Sequence, residues 1–393
     1  MANKTLADAK MGKNDEFYTQ YADIQCEVNA YLEYDPDVFR GKTILLPCDD
    51  PEWSNFTKFF AQNFENFGLK KLISTSYAAD SKQADIPYQI TLFESQDPHF
   101  DEKKTRSRGK IFTLTRDKDA SGRVDIDDLE WDYLEGNGDF MSPEITALRD
   151  EADIIITNPP FSLFKEFLAW LIEGDKKFLI IANKNSVTYK EVFPLIRDNK
   201  MWSGCTDWSG GMWFETKYLD DVDKIVDGVC MKNVASVWVT NLEHGRRHQP
   251  IPLMSMKDNL KFSKHKEIKA KKYCKYETFD AIDVPFTDAI PCDYAGIMGV
   301  PKTFLNQYCC EQFALLGYER DDERVHVGIS TMPEEFLADY RAHGGKGHYT
   351  KGMKMLCLYD ADGIPKIPFS RILIRYTEEW IAAHPEDFQE EAL

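Results

Sequence analysis

The sequence predicts an α/β fold, a Rossmann-like doubly wound sheet followed by a more irregular C-terminal lobe. Three observations predict it. Apolar runs of strand length alternate with helical stretches through residues 1–245. Around residues 153–182 the order strand, helix, strand calls for a right-handed parallel crossover. Beyond Pro250 the alternation gives way to Lys-rich and then Pro- and Gly-punctuated sequence, so the chain is divided into 1–245 and 246–393.

The elements follow in order. Residues 23–34 read as a helix, Thr43-Ile44-Leu45-Leu46 as a short buried strand entering a turn, and 55–67 as an aromatic-rich helix. Residues 72–75 form the next strand. Residues 110–129 read as a hairpin whose arms, 111–114 and 124–126, flank the turn Asp119-Ala120-Ser121-Gly122. Apolar strands at 153–157 and 178–182 enclose a helix at 163–171, and 236–240 supplies a further strand.

With 43% hydrophobic residues in 393, the chain can bury one large or two medium cores. No apolar run approaches the ~20 residues of a membrane span, and the start Met-Ala-Asn-Lys-Thr lacks a signal-peptide stretch, so a cytoplasmic protein is expected. Nine cysteines without a C-x-x-C pair, and without metal-like spacing to the eight histidines, read as reduced thiols with no metal site. A net charge of −18 argues against a protein that coats nucleic acid non-specifically. The cations are nevertheless concentrated between Arg246 and Lys275, with only Asp258 and Glu267 opposing them. Arg246, Arg247, Lys264, Lys269, Lys271 and Lys272 are the candidate phosphate contacts of that run. Two other basic stretches lie at 103–110 and 341–354.

The most informative residues are Asn158-Pro159-Pro160-Phe161, directly after the apolar run Asp153-Ile154-Ile155-Ile156-Thr157. Two successive prolines remove two N–H donors and leave their carbonyls, a rigid row of acceptors beside the Asn158 side chain. Such a turn holds an amine. Accepting both N–H bonds of an aromatic amine localises its lone pair for attack, and Phe161 can stack on the ring.

Doubly wound sheets bind ligands at the carboxyl ends of their strands. The turn after 43–46 reads Pro47-Cys48-Asp49-Asp50-Pro51-Glu52 without a G-x-G, which argues against a dinucleotide pyrophosphate. Gly138-Asp139-Phe140 precedes the Asn-Pro-Pro-Phe strand and offers an acid and an aromatic for an adenine ring.

That order resembles the EcoRI-type adenine-specific DNA methyltransferases, which use S-adenosylmethionine. The matching blocks are Phe17-Tyr18-Thr19, Cys48-Asp49-Asp50-Pro51 with Ser54-Asn55-Phe56, Gly138-Asp139-Phe140 and Asn158 to Phe161. Later blocks are Gly210 to Phe214, Gly299 to Leu305 and Arg371 to Arg375. The Cys-Asp-Asp-Pro loop is far more specific than Asn-Pro-Pro-Phe alone, which RNA and protein methyltransferases share. The resemblance implies a catalytic set of Asn158, Pro159, Pro160 and Phe161. It implies a cofactor set of Phe17, Tyr18, Thr19, Cys48, Asp49, Asp50, Asn55, Asp139 and Phe140, together with Asn158. Two departures stand out. The Gly-rich first loop is missing, and Ser74-Thr75-Ser76-Tyr77 replaces the acid that usually grips the ribose, which leaves Asp49 or Asp50 for that task.

The implied reaction is methylation of the exocyclic N6 amine of adenine in double-stranded DNA at a specific sequence, with the base flipped from the duplex. Residues 1–245 would then bind cofactor and catalyse, and 246–393 would recognise the target. A restriction endonuclease acting on the same site is the implied counterpart, without a stable complex. Methylation of structured RNA, or of a protein glutamine amide, uses the same kind of turn, and a catalytically silent DNA-binding regulator could keep the fold. The intact Asn158 opposes the last of these.

Overall fold

The computed structural model describes residues 18–49, 54–78, 98–118, 124, 128–216, 222–269, 271–319 and 328–388. Two compact units emerge. One comprises residues 1–184 and 201–245, and the other 185–200 and 246–393. The segment 185–200, which no composition change marks, groups with the C-terminal unit.

In chain order the first unit contains β1 (Tyr18–Thr19), β2 (Thr43–Leu46), β3 (Lys71–Ser76), β4 (Lys110–Leu114), β5 (Glu130–Tyr133), β6 (Ile154–Thr157), β7 (Lys177–Asn183), β8 (Trp202–Ser203), β9 (Met212–Glu215), β10 (Lys224–Val226), β11 (Val229–Val234) and β12 (Ser236–Thr240). Eight of them form a sheet in the order β5-β4-β3-β2-β6-β7-β12-β8. Its centre, β3-β2-β6-β7, is parallel. The flanking pairs β3/β4, β4/β5, β7/β12 and β12/β8 are antiparallel. From β2 the chain winds outward to β3 and later returns to β6 on the other side, so the switch point lies between the ends of β2 and β6.

The parallel strands read as continuous apolar runs because both of their faces are covered: β2 and β6 are buried at every position. Helices supply the cover. In the helix Asn55–Gln62, capped by the Ser54 hydroxyl accepting from Phe56 N–H, the phenylalanines lie on the buried face. Phe59 and Phe60 pack with Phe39 and Phe67 at ring separations of 5.3–6.0 Å. The predicted helix over 55–67 is two, Asn55–Gln62 and Phe64–Phe67, divided at Asn63. The predicted hairpin also changes: β4 pairs with β5, Lys110 opposite Tyr133, whereas its expected turn and most of the second arm lie outside the described residues. Charged Glu130 and Asp132 gave β5 no apolar signal, since an edge strand needs none.

A buried carboxylate ties the helix Tyr21–Tyr34 to the loop before β9. Glu27 is fully buried and accepts from the Cys205 and Thr206 amides (both 2.7 Å), the Thr206 hydroxyl (2.6 Å) and the Tyr31 hydroxyl (3.0 Å). Burial pushes its carboxyl up, while those donors pull it back. A Cβ at Gly204 would lie 2.2 Å from Glu27 Oε1, so glycine is required there. Glu27→Gln sets an amide N–H₂ against N–H donors and is expected to lower the unfolding free energy by about 1–2 kcal/mol. A denaturation midpoint identical to wild type would show that the loop rearranges at no cost.

The second unit carries β13 (Ile282–Asp283), β14 (Met298–Pro301), β15 (Phe313–Tyr318), β16 (Leu358–Tyr359), β17 (Pro365–Lys366) and β18 (Arg371–Tyr376). Four strands form a sheet in the order β13-β14-β18-β15, and β16 pairs with β17. Arg371, 7% exposed, forms a buried ion pair with Asp283 at 2.8 Å, and Asp283 also accepts from the Tyr276 hydroxyl at 2.6 Å. The C-terminal sequence therefore has a sheet core of its own, which the expected irregular lobe did not include.

Candidate active site

The turn Asn158-Pro159-Pro160-Phe161 leaves the carboxyl end of β6 at the switch point. Asn158 is half-buried and Pro159 buried. Phe161 opens a 3₁₀ turn, Phe161–Leu163, that leads into the helix Phe164–Glu173, and its ring packs against the main core. The Leu163 amide donates to the Pro160 carbonyl at 3.0 Å. The expected row of acceptors is thus shortened, because the Pro160 carbonyl is taken up in closing the 3₁₀ turn.

The loop after β2 meets it through Thr157. Asp49, after β2, is 7% exposed and accepts from the Ser54 hydroxyl at 2.8 Å and the Thr157 hydroxyl at 2.5 Å. Ser74, in β3, donates to the Asp49 carbonyl at 2.6 Å and pairs with the Thr57 hydroxyl at 3.0 Å. Asn55 donates to the Thr19 carbonyl at 2.8 Å, which brings β1 to the start of the Asn55–Gln62 helix. Tyr18 and Thr19 are held by pairing with β9, opposite Glu215 and Phe214. Phe17 and Asp50 lie outside the described residues.

The second corner is formed by Cys48, Tyr77 and Asp139. The Tyr77 hydroxyl lies 3.4 Å from Asp139 Oδ1, which also accepts from the Met141 amide at 2.9 Å. Burial, and then the proximity of Cys48 and Asp139, raise the Tyr77 phenol well above its ordinary value, so it remains a neutral donor. Gly138 makes this approach possible: its φ is +87°, and a Cβ there would lie 2.3 Å from the Ser76 carbonyl. Sequence reading passed over Tyr77 because a lone tyrosine after a strand carries no pattern.

Phe140 is a correction. Its ring is 1% exposed and sits edge-on to Phe167 (5.1 Å) and Trp170 (5.8 Å), so it is core and offers no face to an adenine.

The basic run in the second unit divides as well. Arg247 is 5% exposed and donates to Asn199 Oδ1 and, at 3.4 Å, to Cys310 Sγ, so it is no surface phosphate contact. Arg246 donates to Asn306 Oδ1 at 3.1 Å. Lys264 pairs with Asp288 at 2.7 Å and Lys271 with Asp362 at 2.6 Å. Lys269 and Lys272 are exposed, and no ion pair of theirs occurs among the described residues. Folding also groups His248, Cys310 and Glu311, with ligand atoms within 4.8 Å of one another. Burial opposes ionisation of Glu311, yet His248 (2.6 Å) and the Cys309 and Cys310 thiols hold its carboxyl down to about 2. A cation placed there would face the Arg247 guanidinium.

Comparison with known proteins agrees with this geometry. The profile described as adenine-specific methyltransferase EcoRI matches residues 5–376. The Type II methyltransferase M.EcoRI of Escherichia coli is 39% identical over 334 residues, 84% of this chain and 93% of the relative. M.MpnI of Mycoplasma pneumoniae is 33% identical over 78% of this chain and 83% of its own length. M.MgeORF184P of Mycoplasma genitalium is 35% identical over 78% and 84%, respectively. No solved structure matches the chain at a significant level. A parallel-centred sheet, an Asn-Pro-Pro-Phe turn at its switch point and a profile match over nearly the whole length place this chain in the EcoRI family of adenine-specific methyltransferases.

Proposed function

We infer that the chain transfers a methyl group from S-adenosylmethionine to the N6 amine of an adenine in duplex DNA, at a defined sequence, with the base rotated out of the helix. The observation that carries this reading is Asn158-Pro159-Pro160-Phe161 at the end of β6, in a member of an adenine-specific family. The corner formed by Cys48, Tyr77 and Asp139 fits the cofactor. Asp139 Oδ1 already takes the Met141 amide, and no partner falls on Oδ2 among the described residues, so the carboxylate can accept the exocyclic amine of the cofactor's adenine. When bound, S-adenosylmethionine supplies a methyl group already activated on a sulfonium. Asn158 Oδ1 and the Pro159 carbonyl accept the two N–H bonds of the target amine, aim its lone pair and need no strong base. Phe161 stacks on the flipped base at ~1–3 kcal/mol, against an unstacking cost of a few kcal/mol.

Residues 246–393 are assigned to target recognition, and a nuclease cutting the same unmethylated site is the expected counterpart in a restriction-modification pair. Transfer of labelled methyl groups to DNA, RNA and protein, followed by nucleoside analysis, tests the reading. N6-methyladenine in DNA alone is expected. Label in RNA or in glutamine amide would replace this reading with another substrate, and no label with any of the three would mean a silent module.

The phosphate contacts are assigned chiefly to Lys269 and Lys272, with Lys271 released from Asp362 on binding. Neutralising all three is expected to weaken DNA binding and flatten the plot of log affinity against log salt by about 2–3 units, at ~0.9 per lost contact. Cofactor affinity should be unaltered. An unchanged slope would make this run a solvated face and shift the assignment to the basic residues of 103–110 or 341–354.

A further inference from the structure

Asp49 occupies the switch point, yet both of its carboxylate oxygens are engaged by the protein itself. Oδ1 accepts from Ser54 at 2.8 Å and Oδ2 from Thr157 at 2.5 Å, while its carbonyl accepts from Ser74 at 2.6 Å. Ser74 in turn pairs with Thr57, and Thr75 donates to the Pro47 carbonyl at 3.1 Å. Ser74, Thr57 and Thr157 are fully buried, and Ser54 is 4% exposed. One carboxylate therefore joins the loop after β2, the start of the Asn55–Gln62 helix and the last residue of β6, with its own carbonyl tied to β3. A buried carboxylate that takes hydroxyl donors on both oxygens is costly to install, which makes the bonds it forms specific.

We propose that Asp49 is a positioning residue for methyl transfer: through the Thr157 hydroxyl it fixes the exit of β6 and so the aim of the adjoining Asn158. This assigns it a different task from gripping the cofactor's ribose, and it rests on the reading of Asn158 given above. The reason lies in alignment. In-line displacement tolerates little error, and a misplacement of about 1 Å costs on the order of 10²-fold in rate. Residue 157 is bonded directly to the amine-holding residue, so a rotation of its peptide is passed on undamped.

The test is single-turnover methylation at saturating cofactor and DNA, with affinities measured separately. Thr157→Val is expected to lower the rate about 10–100-fold while both affinities stay within about 3-fold. Thr157→Ser, which restores the hydroxyl, should recover the rate to within a few-fold. Asp49→Asn should slow the reaction similarly, and the double variant should be no slower than the worse single one, because both remove the same link. A Thr157→Val rate within 3-fold of wild type overturns the proposal. A loss shared equally by Thr157→Ser, or explained by weakened cofactor binding, overturns it too. If Thr157→Val does not fold, Ser54→Ala carries the test by removing the other hydroxyl, with a rate about 3–10-fold lower expected and an unchanged rate counting against the proposal. Asn158→Ala separates the two ideas: if it stays active, the reading of Asn158 fails, whereas an inactive Asn158→Ala beside a fully active Thr157→Val sinks only the role of Asp49.

Discussion

Replacing Asn158 with alanine is expected to reduce methyl transfer by about 10²–10³-fold, the usual loss when one preorganised polar group is removed from a reacting centre. The side chain stands at the end of β6, on a turn whose second proline is locked by the Leu163 amide. In the proposed reading Asn158 Oδ1 and the Pro159 carbonyl orient the amine, and alanine removes the one that a side chain supplies. Because the turn itself is held by proline geometry, the backbone should survive the change, and cofactor affinity should stay within a few-fold. Single-turnover rates beside calorimetric titration distinguish these effects. A variant that methylates DNA within a few-fold of wild type would mean that the amine is held elsewhere.

Replacing Asp139 with alanine is expected to weaken S-adenosylmethionine binding about 10–100-fold, the range for a hydrogen bond to a charged group. The Met141 amide and the Tyr77 hydroxyl orient this carboxylate, and Gly138 brings it against the end of β3. Asp139→Asn keeps one acceptor and should fall between alanine and wild type. At saturating cofactor the rate should be nearly normal for both, since the carboxylate is assigned to binding and not to the transfer. Unchanged calorimetric affinity for Asp139→Ala would remove the adenine subsite from this corner.

Both predictions start from residues that stand out in the chain, and most of the large sheet's buried strands were legible in the same way. Thr43–Leu46 and Ser236–Thr240 have the bounds their composition implies, β6 is one residue shorter at its start, and β3 and β7 are each one residue longer at both ends. Strands buried on both faces announce themselves as apolar runs, so local composition is sufficient. Edge strands do not. β5 alternates charge with aromatic residues and owes its existence to pairing with β4, which local sequence cannot express.

By itself, then, the sequence determined the α/β alternation, the amine-holding turn and its place after a buried strand, because periodicity and proline geometry act over a few residues. The tertiary structure decided which side chains those elements leave available. It buried Phe140 between Phe167 and Trp170, drew Arg247 inside, and paired Lys264 and Lys271 with acids far along the chain. It also set the Asp49 carboxylate against Thr157, 108 residues away. A side chain's partners depend on which distant strands become neighbours, and that is fixed by burial of the whole sheet, not by the letters beside it.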